Sequence, residues 1–160
     1  MAPLWRGIGF CVLLAALLVS GAAFSYHYRA EFRILEIRDT GSGKVYGKWR
    51  LEKAGEFSIE FVHSVNQSPV RETFAVEGGM IRPKTVRFSS FGAGMQSDLE
   101  EGQKLSRDGD AMIISGFNAL FTELHYIVGT VSDHLLLING ETLSLRDLCG
   151  RNAQITLRLR

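Results

Sequence analysis

His63 and Glu72 are the residues whose types and spacing point most directly to chemistry. Phe57, Ile59, Phe61, His63 and Val65 alternate with Ser58, Glu60, Val62 and Ser64, and Val70, Glu72, Phe74 and Val76 alternate with Arg71, Thr73, Ala75 and Glu77. Two such runs, joined by Asn66, Gln67, Ser68 and Pro69, read as an antiparallel hairpin. With Val65 opposite Val70, His63 faces Glu72, Phe61 faces Phe74 and Ile59 faces Val76. All then lie on one apolar face, because side chains alternate along a strand. A carboxylate beside an imidazole favours the charged ring and fixes its tautomer. Such a pair could be a ligand contact or a general base at the mouth of the domain. It could equally be a structural hydrogen bond that pins the hairpin, since either charge buried alone is costly.

The other candidates are weaker. Ser64 follows His63 directly, so in a strand it points to the opposite face and makes no serine–histidine catalytic pair with it. Cys149 has no histidine near it in sequence. One histidine and one carboxylate are too few for a closed metal site. Further ligands would have to come from His125, His134 or Asp133, so neither a metal nor a cofactor is expected. Phe91-Gly92-Ala93-Gly94 follows a strand, and its backbone amides could cup an anion. A tight turn or bulge with glycine at positive φ explains it equally. Asp98, Glu100 and Glu101, and then Asp108-Gly109-Asp110, read as solvated loop residues.

The elements that must position these residues are strands. Runs starting at Phe32 and covering Lys44–Leu51, Glu56–Val65, Val70–Glu77, Met80–Ser90, Ala111–Ser115, Leu120–Val128, Leu135–Ile138 and Ile155–Leu159 are separated by closely spaced turn residues. Gly78-Gly79 marks a two-residue hairpin that sets Ile81 beside Val76. Pro83 cannot donate to a ladder, so a bulge or edge is expected there, turning Val86 and Phe88 inward. Leu99–Leu105 and Leu143–Cys149 alone have room for short helical turns. The pattern predicts a mainly β fold, a small antiparallel sandwich or barrel spanning residues 30–160 as one extracytoplasmic domain.

Residues 1–29 are set apart. Ile8 to Phe24 carries no charge and follows Arg6. Its 17 residues would make about 26 Å of helix, the short end of a bilayer span. Tyr26 and Tyr28 suit the membrane interface, which favours a retained signal anchor. Gly21, Ala22 and Ala23 suit a cleaved signal peptide, the alternative. The expected location is the inner membrane with the C-terminal domain in the periplasm, or the periplasm after cleavage. The chain holds 18 basic and 17 acidic residues. Without Arg6 and Arg29 the remainder carries 16 against 17, and no basic stripe for nucleic acid is present.

Phe61-Val62-His63-Ser64-Val65, then Ser68-Pro69-Val70 and Glu72, then Phe88 and Ser90-Phe91-Gly92-Ala93-Gly94, resemble the family known as domain of unknown function 1850. Met95-Gln96-Ser97 stands where that pattern usually brings a proline. By match, His63, Ser64, Pro69, Glu72, Phe91, Gly92 and Gly94 correspond to the family's pattern. The resemblance implies an accessory protein beside a tripartite (TRAP) transporter of the TAXI type, touching its permease or its periplasmic solute receptor. It implies no catalytic residues. On this reading His63, Ser64, Glu72, Phe91, Gly92 and Gly94 are ligand or partner contacts. A small periplasmic hydrolase or metal-dependent enzyme using His63 and Glu72 is the alternative.

Overall fold

Eleven strands and one short helix are seen in the computed structural model, which describes residues 32–52, 54–64, 67–89 and 99–160. The apolar segment 8–24 and the glycine-rich Phe91–Gly94 loop lie outside the described residues. Among the described residues no helix is long and apolar enough to cross a membrane.

The strands are β1 (Phe32–Asp39), β2 (Val45–Glu52), β3 (Glu56–Val62), β4 (Pro69–Glu77), β5 (Met80–Phe88), β6 (Lys104–Asp108), β7 (Ala111–Ser115), β8 (Glu123–Ile127), β9 (His134–Ile138), β10 (Glu141–Ser144) and β11 (Gln154–Leu159), with α1 (Leu145–Cys149) before the last. They form two antiparallel sheets rather than a closed barrel. One has the order β2-β1-β11-β8, the other β10-β9-β3-β4-β5-β7-β6. The main core lies between them. Leu35, Ile37, Ile155 and Leu157 from the smaller sheet meet Phe57, Ile59, Phe74, Val76, Leu136 and Ile138 from the larger. Each buried side chain of this size contributes about 1.5–3 kcal/mol relative to its exposed state.

Alternation along each strand sets which residues face this core. On β1 the neighbours Leu35 and Ile37 are buried inward, and Glu36 between them points outward. Glu36 is nonetheless only 1% exposed, because Arg158, Arg160 and Lys48 fold over it. Arg158 Nη2 and Nε donate to its Oε1 at 2.8 and 3.0 Å, and Arg160 Nε lies 3.1 Å from Oε2. Burial alone would raise its pKa, but these cations outweigh that and hold it below the usual carboxylate range.

The Gly78-Gly79 hairpin forms as expected, with Val76 opposite Ile81 and both glycines at positive φ, +59° and +84°. The bulge forms as well. Phe74 pairs with Pro83 but Thr73 pairs with Thr85, so one extra residue separates Pro83 from Thr85. The extra residue reverses the facing of the strand. Val86 and Phe88 turn to the inner face, and Phe88 is buried with Val70 and Ile114 in a second, smaller cluster.

Two expectations need correction. His63 does not face Glu72: the ladder pairs Phe61 with Val70, Ile59 with Glu72 and Phe57 with Phe74. The loop is longer than expected, because the His63 N–H donates to the Ser68 carbonyl at 2.9 Å and the Gln67 N–H to the His63 carbonyl at 3.0 Å. Gln67 takes a positive φ of +49° to close it. The slide stacks Phe57 on Phe74 with centroids 5.3 Å apart, and an even slide leaves every residue on its original face. Second, Leu99–Leu105 holds no helical turn. Glu100 and Gln103 close a β-turn through a 3.0 Å backbone bond, with Gly102 at positive φ, and β6 then begins at Lys104. The other stretch with room for a helical turn, Leu143–Cys149, does hold one: Leu143 and Ser144 close β10, and α1 runs Leu145–Cys149. The Ser144 hydroxyl caps it by accepting the Asp147 N–H at 3.0 Å.

Candidate functional site

The inner face of the larger sheet carries two rows of opposed residues. One runs His134–Phe61–Val70–Phe88–Met112, the next Leu136–Ile59–Glu72–Val86–Ile114. Apolar side chains fill both rows except at His134 and Glu72. From the facing sheet Tyr126, inward on β8 with Leu124, reaches these two. Its hydroxyl donates to Glu72 Oε2 at 2.5 Å, and its ring meets the His134 ring edge-on with centroids 6.2 Å apart. His134 in turn stacks on Phe61 at 5.0 Å.

Burial sets the charge states of this cluster. It raises the Glu72 pKa, a shift that the Tyr126 hydrogen bond opposes. Burial, followed by the Glu72 charge and the hydrogen bond to it, also drives the Tyr126 phenol upward, so Tyr126 stays a donor. Burial lowers the His134 pKa; Asp133 resists this and Arg146 assists it. The Gly129 N–H donates to His134 Nδ1 at 3.1 Å, which fits a neutral ring with its proton on Nε2.

The loop from Val128 to Asp133 is strapped in place to hold that geometry. Asp133 accepts from the Ser144 hydroxyl at 2.5 Å and from the Arg146 N–H at 3.1 Å. Arg146 Nη2 holds the Val131 carbonyl at 2.9 Å, and Arg151 Nη1 holds the Thr130 carbonyl at 3.1 Å. Gly129 packs so closely that a Cβ there would lie 2.1 Å from the Ser132 carbonyl oxygen.

Two clefts flank the cluster. The first, about 470 Å³, lies on the Glu72–Tyr126 side, with Phe74, Val86, Phe117, Phe121 and Leu124 among its walls. Phe121 exchanges two 2.8 Å backbone bonds with Ile81, and Arg82 Nη1 holds the Phe117 carbonyl at 3.1 Å. Both rings are therefore carried on backbone fixed to β5. The second cleft, about 390 Å³, lies on the His134 side and is lined by His63, Ser64, Gln67 and the 129–132 loop.

Of the residues expected to form the site, the structure thus places Glu72 in one cleft and His63 and Ser64 in the other. His63 lies four positions beyond Ile59, the partner of Glu72, an offset of about 13 Å along the strand. Phe91, Gly92 and Gly94 are outside the described residues. The additional metal ligands do not converge either. His125 sits on the outer face of β8, with Nε2 3.2 Å from Glu123 and Nδ1 3.2 Å from the Thr156 hydroxyl. Asp133 is spent on α1. Among the described residues no three His, Cys, Asp or Glu side chains gather. His134 Nδ1 is engaged by a backbone amide, and burial, then Asp39, pushes the Cys149 thiol up to about 11, which leaves that thiol a poor nucleophile. Sequence reading missed Tyr126. The only signal for it was its alternation with Glu123, His125 and Ile127, which turns Leu124 and Tyr126 to one face.

The model of one protein family, described as a domain of unknown function (DUF1850), matches residues 57–145, more than half of the chain. That span runs from β3 to the first residue of α1 and includes Glu72, Tyr126 and His134. No curated protein and no solved structure matches.

Proposed function

The chain belongs to the DUF1850 family, and from the cluster between its sheets we propose that it is a non-catalytic binding module whose ligand enters the Glu72–Tyr126 cleft. One observation carries this reading. A carboxylate already held by a phenol sits in the wall of a mostly apolar cleft, with no cluster of metal ligands beside it among the described residues. A few fixed polar groups in an apolar concavity of a few hundred Å³ are what small-ligand sites present. In this proposal the apolar segment 8–24 holds the domain at the outer face of the inner membrane. There it serves a TAXI-type transporter through the permease or the solute receptor.

The test is affinity purification of the intact protein from membranes after cross-linking. The expected result is recovery of a transporter component. Failure to recover one under any cross-linking condition would count against the transporter role. The hydrolytic alternative based on His63 and Glu72 has less support, because the two residues stand in separate clefts. Replacing His63 with alanine separates the readings: transport supported by a folded His63→Ala protein leaves no catalytic role for that ring.

A further inference from the structure

The described walls of the Glu72–Tyr126 cleft are unbalanced in charge. They include two carboxylates, Glu72 and Glu100, and neither a lysine nor an arginine. The one histidine there, His125, has its ring nitrogens beside Glu123 and the Thr156 hydroxyl. Phe74, Phe117, Phe121 and Tyr126 contribute aromatic surface. Glu72 meets Tyr126 through Oε2, which leaves Oε1 to accept from a ligand. A carboxylate with aromatic faces around it attracts a cation twice, by ion pairing and through the ring quadrupoles, and both effects strengthen away from water. An anion entering the same space would meet two like charges and neither lysine nor arginine among the described walls.

Resting on the reading of this cleft as a binding site, we propose that it takes a small organic ammonium compound, its charged head on Glu72 and its apolar body against Phe117 and Phe121. About 470 Å³ accommodates a ligand of that size and is too little to bury a folded partner. The aromatic walls favour a body broader than an unbranched alkyl stem.

The experiment is calorimetric titration of the full-length protein in lipid nanodiscs, with empty nanodiscs as the blank. The probes are 2-phenylethylammonium, neutral 2-phenylethanol, anionic phenylacetate and butylammonium. Expected is an at least tenfold preference for 2-phenylethylammonium over 2-phenylethanol, with phenylacetate weaker still. Glu72→Gln keeps an acceptor for Tyr126 and should abolish that preference. Phe121→Ala should weaken both phenyl probes. Equal binding of the charged and neutral probes, sensitive to Phe121→Ala, would overturn the ammonium assignment and leave the cleft reading standing. Absence of binding by every probe, or binding indifferent to Phe121→Ala, would overturn both. Butylammonium binding as tightly as 2-phenylethylammonium would transfer the site to lysine side chains of a protein partner, and so overturn the small-molecule assignment.

Discussion

Tyr126 on β8 donates its hydroxyl to Glu72 on β4 at 2.5 Å, and this bond ties the two sheets together across their interior. A hydrogen bond to a charged group contributes about 1.5–3 kcal/mol, more than a neutral one. Tyr126→Phe keeps the ring against His134 and removes only the donor. We expect chemical denaturation at neutral pH to show a loss of about 1–3 kcal/mol. A loss below a few tenths would mean that water replaces the phenol without penalty.

Glu72 also makes stability depend on pH in a defined direction. Its folded pKa is raised from the ordinary value of 4.5, chiefly by burial. The native state therefore holds this proton more tightly than the unfolded chain does. The associated stability is fully present below about pH 4.5 and is lost as pH rises through the folded value. Glu72→Gln lacks the titration, so its stability relative to wild type should improve as pH rises from 4 to 7. Denaturation midpoints for both proteins across that range measure this. A flat difference, or one of opposite slope, is the contrary result.

His134 acts in the opposite sense. Burial lowers its pKa from the ordinary 6.5, so the unfolded chain binds the proton more readily. Stability from this site is present above pH 6.5 and is lost as pH falls from there through the folded value. Proton NMR titration of the ring should give a midpoint below the ordinary 6.5. A midpoint above 6.5 would contradict the burial argument.

Gly129 tests the strap around His134. A Cβ at this position would stand 2.1 Å from the Ser132 carbonyl oxygen, a backbone atom that cannot move alone. Gly129→Ala should cost about 1–3 kcal/mol by overpacking. Breaking the amide contact to Nδ1 should also change the His134 midpoint in the titration above. An alanine variant unchanged in both readouts would show that the loop yields freely.

For the core itself, Phe57 is buried and stacked on Phe74 at 5.3 Å. Phe57→Ala should cost about 3–5 kcal/mol, measured as a shift in denaturation midpoint at unchanged slope.

Local signals explain which features were legible in the sequence. Gly78-Gly79 and Pro83 act on their own backbone, so the β4–β5 hairpin and its bulge could be read directly. The inward set Phe57, Ile59, Phe61 and Val70, Glu72, Phe74, Val76 was legible from alternation. Its register was not, because a slide of four residues preserves every facing. The deciding feature is Gln67 at positive φ, and a glutamine announces no such turn. The likeness to the DUF1850 pattern was carried by motif residues and holds over residues 57–145. Tyr126 stands 54 residues from Glu72, and the partner that gives Glu72 its character arrives from another sheet. No local pattern encodes that meeting.

The pairing of β1 with β11 also fixes an order of events. Leu35 lies opposite Leu159, so the smaller sheet closes across almost the whole domain. The larger sheet contains four local hairpins, β3–β4, β4–β5, β6–β7 and β9–β10, joined by the longer-range pairings β3–β9 and β5–β7. Such local pairings form early, whereas a closure of this separation waits for the last strand to leave the ribosome and follow the rest of the chain. Among the described strands β8 pairs in its sheet with β11 alone, so the seating of Tyr126 against Glu72 waits for β11. Formation of the Tyr126–Glu72 contact thus depends on synthesis having run through to β11.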